Sequence, residues 1–198
     1  MVISTSLWRN HGLRAQRDNH PQSHSLYLVY SDSNGRIVAV KMNTESTPLL
    51  IIGTYWPSGS TITAQEGRSA MQKQAAELIK KNNQHTPIVL GDMNATLYDN
   101  DRYSGKCYTS DILMYRNFLK GEGLSPVGAE HDQANPNDDG PRQWTHQQAT
   151  SSTDAQGNTT YSHGRIDDIL MKTNLAKKVP FVYTCANEYQ SNYIPLVT

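Results

Sequence analysis

The sequence predicts a layered α/β domain. Two observations carry that prediction. Apolar, strand-like runs are interrupted by two segments whose apolar residues recur at helical spacing, and the order is strands, helix, strand, helix, then mostly strands. That order fits helices packed on sheets better than a regular βαβ alternation. No repeat or linker divides residues 1–198, so the chain reads as one domain with enough length for a real core.

The elements follow in order. Val2 to Leu7 reads as a first strand. Leu26 to Tyr30 and Arg36 to Met42 read as a hairpin, joined by Ser31-Asp32-Ser33-Asn34-Gly35, where Asn-Gly supplies residues that tolerate positive φ. Leu49 to Tyr55 is nearly all apolar, as in a strand buried on both faces. The period then changes. Met71, Ala75, Leu78 and Ile79 fall on one helical face, Thr63 to Glu66 has capping-box spacing, and Lys80 and Lys81 suit the C-terminal end of the macrodipole. The spacing predicts a helix over about 64–82.

Pro87 to Leu90 is a short strand that delivers Gly91-Asp92-Met93-Asn94. A second helix is predicted at about 110–120, with Ile112, Tyr115, Phe118 and Leu119 inside and Gly121 and Gly123 at its end. Ala129 to Arg142 is a long polar loop, Gln143 to Gln147 is strand-like around Trp144, and Thr150 to Gly164 reads as a hairpin connection. Arg165 to Met171 and Val179 to Tyr183 are strands.

Lys plus Arg is 18 and Asp plus Glu is 18, which argues against a strongly basic, whole-surface nucleic-acid binder but leaves room for a local groove. The basic stretch from Arg9 to His24 reads as a solvated loop, with a segment that meets phosphates as the alternative. Cys107 and Cys185 are too few for a metal finger or a disulfide framework and read as reduced thiols of an intracellular protein, cytoplasmic or nuclear. No run approaches the roughly 20 apolar residues of a membrane span, and Met1 to Trp8 lacks the basic region of a signal peptide.

Chemistry gathers at strand ends. Asp92 and Asn94 lie two apart, so in extended backbone both side chains point the same way. A carboxylate can orient and deprotonate water, and an amide can hold a phosphate oxygen. Read alone, the tetrapeptide fits an Asx turn equally well. Tyr55, before Trp56-Pro57, can donate to a phosphate oxygen or serve as a core aromatic. In Arg165-Ile166-Asp167-Asp168-Ile169-Leu170, alternation puts Ile166, Asp168 and Leu170 on one face and Arg165, Asp167 and Ile169 on the other. One carboxylate therefore faces inward and needs a partner, because burying a lone charge is costly. The alternative for Asp167 is a surface pair with Arg165.

Taken together with these segments, the chain resembles the endonuclease/exonuclease/phosphatase superfamily, the deoxyribonuclease I-like fold of abasic-site and LINE-type retrotransposon endonucleases. The retrotransposon type is the subgroup preferred. Tyr55-Trp56-Pro57, Gly91-Asp92-Met93-Asn94, Trp144-Thr145, Arg165-Ile166-Asp167 and Ser191-Asn192-Tyr193 match its motifs in order, and Gly35-Arg36 before a strand looks like another. The resemblance implies a four-layered α/β sandwich and Mg²⁺- or Mn²⁺-dependent phosphoester hydrolysis, with DNA as the partner and no membrane. It implies that Asp92 positions the attacking water, Asn94 the phosphate, and Tyr55 bonds a phosphate oxygen. Asp167 would pair with the family's histidine, and Trp144, Arg165 and Arg36 would contact substrate. Position 192, with Asp92, would face the metal.

The departures are equally specific. The family's first strands, with an asparagine and a metal-binding glutamate, precede the strand matched to Val2–Leu7, so the resemblance implies an N-terminally truncated domain. Such a domain would leave an inner sheet edge for a partner or second copy to cover. The terminal Ser-Asp-His motif reads Ser191-Asn192-Tyr193. Asn carries no charge for a cation, and Tyr, with an ordinary pKa near 10, stays neutral at pH 7. Three readings follow: a weakened or inactive phosphodiesterase of endonuclease type, a non-catalytic nucleic-acid-binding module, or a phosphatase of the same superfamily.

Overall fold

The computed structural model describes residues 25–98, 101–103, 109–127, 145–153, 156–157, 159–179, 183–184 and 196–197. The strand expected at Val2–Leu7 and the loop expected at Ala129–Arg142 lie outside them. The main sheet is mixed and six-stranded. Its members are β1 (Ser25–Ser31), β2 (Ile37–Asn43), β3 (Leu49–Tyr55), β4 (Thr86–Asp92), β6 (Leu124–Pro126) and β9 (Asp167–Lys172), in the order β1-β2-β3-β4-β9-β6. Among the described residues only β3 and β4 pair in parallel, and helix α1 (Ile62–Lys81) makes the crossover that a parallel pair requires. Beside this sheet are a three-stranded one, in the order β5-β8-β7, built from β5 (Arg102–Tyr103), β7 (His146–Thr153) and β8 (Thr159–Gly164), and the short pair β10 (Tyr183–Thr184) and β11 (Leu196–Val197).

Helices α1 and α2 (Thr109–Glu122) cover one face of the main sheet. Leu50, Ile52, Val89 and Leu170 point into that layer and meet Ala75, Leu78, Tyr115, Phe118 and Trp56. The Trp56 ring packs edge-on to Tyr115 and Phe118, at 5.3 and 6.1 Å between centroids. On the opposite face, Val127 and Ala176, from the short helix α3 (Thr173–Ala176), pack against Ile169 and Met171.

Several local expectations are corrected. β3 alternates between buried and half-buried residues, because its outer face is only partly covered; it is not enclosed on both faces. α1 starts two residues early: Thr61 is the N-cap, its Oγ1 accepting from the Ala64 N–H at 3.2 Å, so Thr63 lies inside the helix and makes no capping box. In the β1–β2 turn only Gly35 takes positive φ; Asn34 does not, because Asp32 holds the turn by accepting from the N–H groups of Asn34, Arg36 and Ile37. Gly121 stays helical, and the helix ends at Gly123, with φ 61°. Most of 150–164 is strand, in β7 and β8, where cross-strand pairing overrides Ser/Thr-rich composition. Of the strand expected at Val179–Tyr183, Val179 follows α3 and is not in a strand, Tyr183 lies in β10, and 180–182 lie outside the described residues.

Candidate active site

Gly91 sets the frame. Its φ is +138°, and a Cβ there would lie 1.9 Å from the Thr54 carbonyl oxygen. Only glycine lets β4 run this close to β3. The consequence is a register in which Tyr55 lies beside Asp92 and Asp92 beside Asp167, one row across β3, β4 and β9. Register neighbours share a face, so the row lies on the side of the sheet away from the helices. The next row, Thr54, Gly91 and Asp168, faces the helices.

Tyr55 is 41% exposed at the strand end, while Asp92 is buried. The Arg36 guanidinium lies 5.4 Å from the Tyr55 ring centroid, a cation–π contact, and the Tyr55 N–H donates to the Arg36 carbonyl at 2.8 Å. Arg36 Nη1 is shielded from solvent without a hydrogen-bond partner. A buried donor in that condition lacks an acceptor, and a phosphate oxygen would supply one.

The predicted parallel aim of Asp92 and Asn94 is corrected. The strand ends at Asp92 and Asn94 turns into the left-handed region at φ 43°, which asparagine tolerates. Its N–H donates to Asp92 Oδ1 at 2.8 Å, and its Nδ2 donates to the Trp56 carbonyl at 2.7 Å. The Asx turn is thus the observed structure, and the Asn94 side-chain amide is directed to Trp56. The Trp56 N–H in turn donates to the Asp92 carbonyl, and the Met93 N–H to that of Ile166, so β3, β4 and β9 are tied at this end.

Asp167 is presented by Thr145. The fully buried Thr145 Oγ1 accepts from the N–H groups of Ile166 and Asp167 at 2.9 and 3.0 Å. Asp167 Oδ2 is buried with no hydrogen-bond partner. Burial first, and then the charge of Asp92, push the Asp167 carboxyl up to about 8, although a hydrogen bond with Thr145 acts the other way.

Of the adjacent carboxylates, Asp168 faces the helices. Tyr115 Oη donates to its Oδ2 at 2.6 Å, and Arg165 Nε lies 3.5 Å from its Oδ1. Burial, then Asp168, push the Tyr115 phenol well above its ordinary value, so it remains a donor. Arg165, expected on the face of Asp167, instead meets Asp168 and donates to the Val127 carbonyl at 3.2 Å. β9 begins only at Asp167, so strand alternation does not extend back to Arg165. Trp144, Asn192 and Tyr193 lie outside the described residues.

Sequence reasoning missed Arg68. It is fully buried in α1, with Nη2 2.8 Å from Asp111 Oδ2 and Nη1 donating to the carbonyls of Pro57 and Gly59. It clamps the loop that follows Tyr55 to both helices. The available signal was its place on the stripe Ala64, Arg68, Gln72, Ala75, Ile79.

For a divalent cation the row offers oxygen donors, which suit Mg²⁺ or Mn²⁺. Two carboxylates held side by side, one with an unpartnered oxygen, fit such an ion. Among the described residues no three His, Cys, Asp or Glu side chains gather for a metal. Mg²⁺ is commonly held by one or two carboxylates, with water and phosphate completing its shell.

No protein-family profile and no curated protein sequence matches the chain. Solved structures do. An AP endonuclease from Archaeoglobus fulgidus superposes with a TM-score of 0.63 at 18% identity, covering 87% of this chain and 70% of that one. The 3′-5′ exonuclease NExo from Neisseria meningitidis gives 0.61 at 16%, covering 87% and 69%. The endonuclease domain of TRAS1, a telomere-specific non-LTR retrotransposon, gives 0.59 at 14%, covering 88% and 68%. The chain has the deoxyribonuclease I-like α/β fold. Among the described residues no helix is long and apolar enough to cross a membrane.

Proposed function

We propose that the chain is a divalent-metal-assisted phosphodiesterase of endonuclease type acting on nucleic acid, with weakened turnover. One observation carries the proposal: Tyr55, Asp92 and Asp167 stand in one register row with the Arg36 guanidinium over Tyr55. The fold shared with an AP endonuclease and an exonuclease supports it.

Asp92, fixed by the Asn94 N–H, orients a water and accepts its proton. Tyr55 and Arg36 donate to non-bridging phosphate oxygens, and Asn94 holds the phosphate with its second amide hydrogen. Asp167 and Asp92 would hold the cation, with position 192 as a further contact. When bound, the ion supplies charge neutralisation at the phosphate and leaving oxygen. Asn192 and Tyr193 stand where the resemblance expects an aspartate and a histidine, and the loss of one acid–base group lowers rates by about 10²–10⁴-fold. Turnover is therefore slow.

Those same two residues favour a second reading, a binding module that retains the groove without chemistry. Bis(p-nitrophenyl) phosphate and p-nitrophenyl phosphate, each with Mn²⁺ or EDTA, separate the possibilities. Slow, metal-dependent cleavage of the diester over the monoester is the expected result. Preference for the monoester would make the protein a phosphatase. No cleavage of either, together with salt-dependent DNA binding, would make it a binding module.

A further inference from the structure

A groove of about 620 Å³ opens between the β1–β2 hairpin and α1. Its volume lies within the roughly 300–1,000 Å³ typical of ligand sites. Tyr30, Ile37, Pro57, Ala64 and Met71 give it an aromatic and aliphatic wall, and Arg36 lines it as well. Arg36 therefore links the groove to the row, since it lines the groove and its guanidinium lies over Tyr55. Arg36 Nη1 has no hydrogen-bond partner. Among the described residues the one carboxylate in the lining, that of Asp32, already accepts from three backbone N–H groups at 2.7, 2.7 and 3.2 Å. The turn that carries Arg36 is thus rigidly held, and the Asp32 charge is occupied within it.

We propose that this groove is a nucleotide subsite. It holds one unpaired nucleotide adjoining the phosphate at Tyr55, with the base against Tyr30, Ile37 and Met71 and the intervening phosphate on Arg36. The proposal rests on the phosphodiesterase reading and adds to it the selection of a strand with an unpaired nucleotide next to the cut. Asn34, Thr61, Thr63 and Gln74 add amides and hydroxyls to the lining, and the subsite's affinity comes from stacking and charge. A deoxyribose or a ribose strand supplies the same chemistry.

Fluorescein-labelled penta-deoxythymidylate and penta-uridylate, titrated at low salt and followed by anisotropy, test it. Ala70 lines the groove from an exposed position on α1, so Ala70→Trp fills the space without entering the core. Ala70→Trp is expected to weaken binding about tenfold, the scale of one lost base–aromatic stack. With whichever sugar binds, equal affinity of wild type and Ala70→Trp overturns the subsite and leaves the phosphodiesterase reading standing. No binding of either oligonucleotide by wild type overturns the subsite, while the phosphodiesterase reading falls only if metal-dependent cleavage of the diester is absent. A 5-iodouracil oligonucleotide, irradiated on the unaltered protein, gives an independent test. Adducts on Tyr30 or Met71 support the subsite, and adducts found only elsewhere overturn it.

Discussion

Asp92 and Asp167 are direct register partners across the β4–β9 ladder, and the Oδ2 of Asp167 is buried there without a hydrogen-bond partner. Two carboxylates in that relation cannot both ionise cheaply without a cation, and burial with the Asp92 charge holds the Asp167 carboxyl up at about 8. Between the ordinary value of 3.8 and about 8, the folded state keeps a proton that the unfolded chain has released. The unfolded state binds fewer protons, so stability falls as pH rises through that window. Urea denaturation in EDTA from pH 5 to 8 should show the fall, and Asp167→Asn should flatten it. Parallel pH curves for the two proteins would contradict this account.

Gly91→Ala should abolish native folding. The added carbon would meet the Thr54 carbonyl at 1.9 Å, in a backbone region that L side chains rarely adopt. A loss above about 4 kcal/mol is expected, in the range reserved for a few severe mechanisms. A change below about 1 kcal/mol in urea unfolding would show that β3 and β4 can separate there.

Arg68→Met strands the buried Asp111 carboxylate, and breaking a buried pair from one side costs about 3–5 kcal/mol. It also releases the carbonyls of Pro57 and Gly59, which lie just beyond Tyr55. Adding Asp111→Leu removes the orphaned charge and should restore much of the stability. Denaturation of the single and double variants checks this; a double variant no more stable than the single would refute it.

Tyr115→Phe removes the 2.6 Å hydrogen bond to buried Asp168 and should cost about 1–3 kcal/mol. Unchanged stability by denaturant unfolding would mean that the other contacts of Asp168 suffice without this hydrogen bond.

The fold was legible where one periodicity dominated. α1, α2 and the β1–β2 hairpin follow from apolar spacing and from Gly35. The division between Asp167 and Asp168 followed from strand parity, because both lie inside β9. What escaped depended on the tertiary setting. Arg68 is a surface residue by type, and only the carbonyls of Pro57 and Gly59 and the Asp111 carboxylate make its burial intelligible. Asn94 escaped because a left-handed residue after β4 replaces the extended geometry assumed for it. Arg165 escaped for a related reason: it precedes the strand whose alternation was extended to it. The capping box failed because Thr61 offered a competing cap two residues earlier.

The most direct test of the central claim is plasmid nicking with Mn²⁺ by the wild-type chain and by Asp92→Ala. The row of Tyr55, Asp92 and Asp167 predicts slow nicking by wild type, reduced at least about 10²-fold in Asp92→Ala and abolished by EDTA. Nicking at equal rates in the two proteins, or none by wild type, would contradict it.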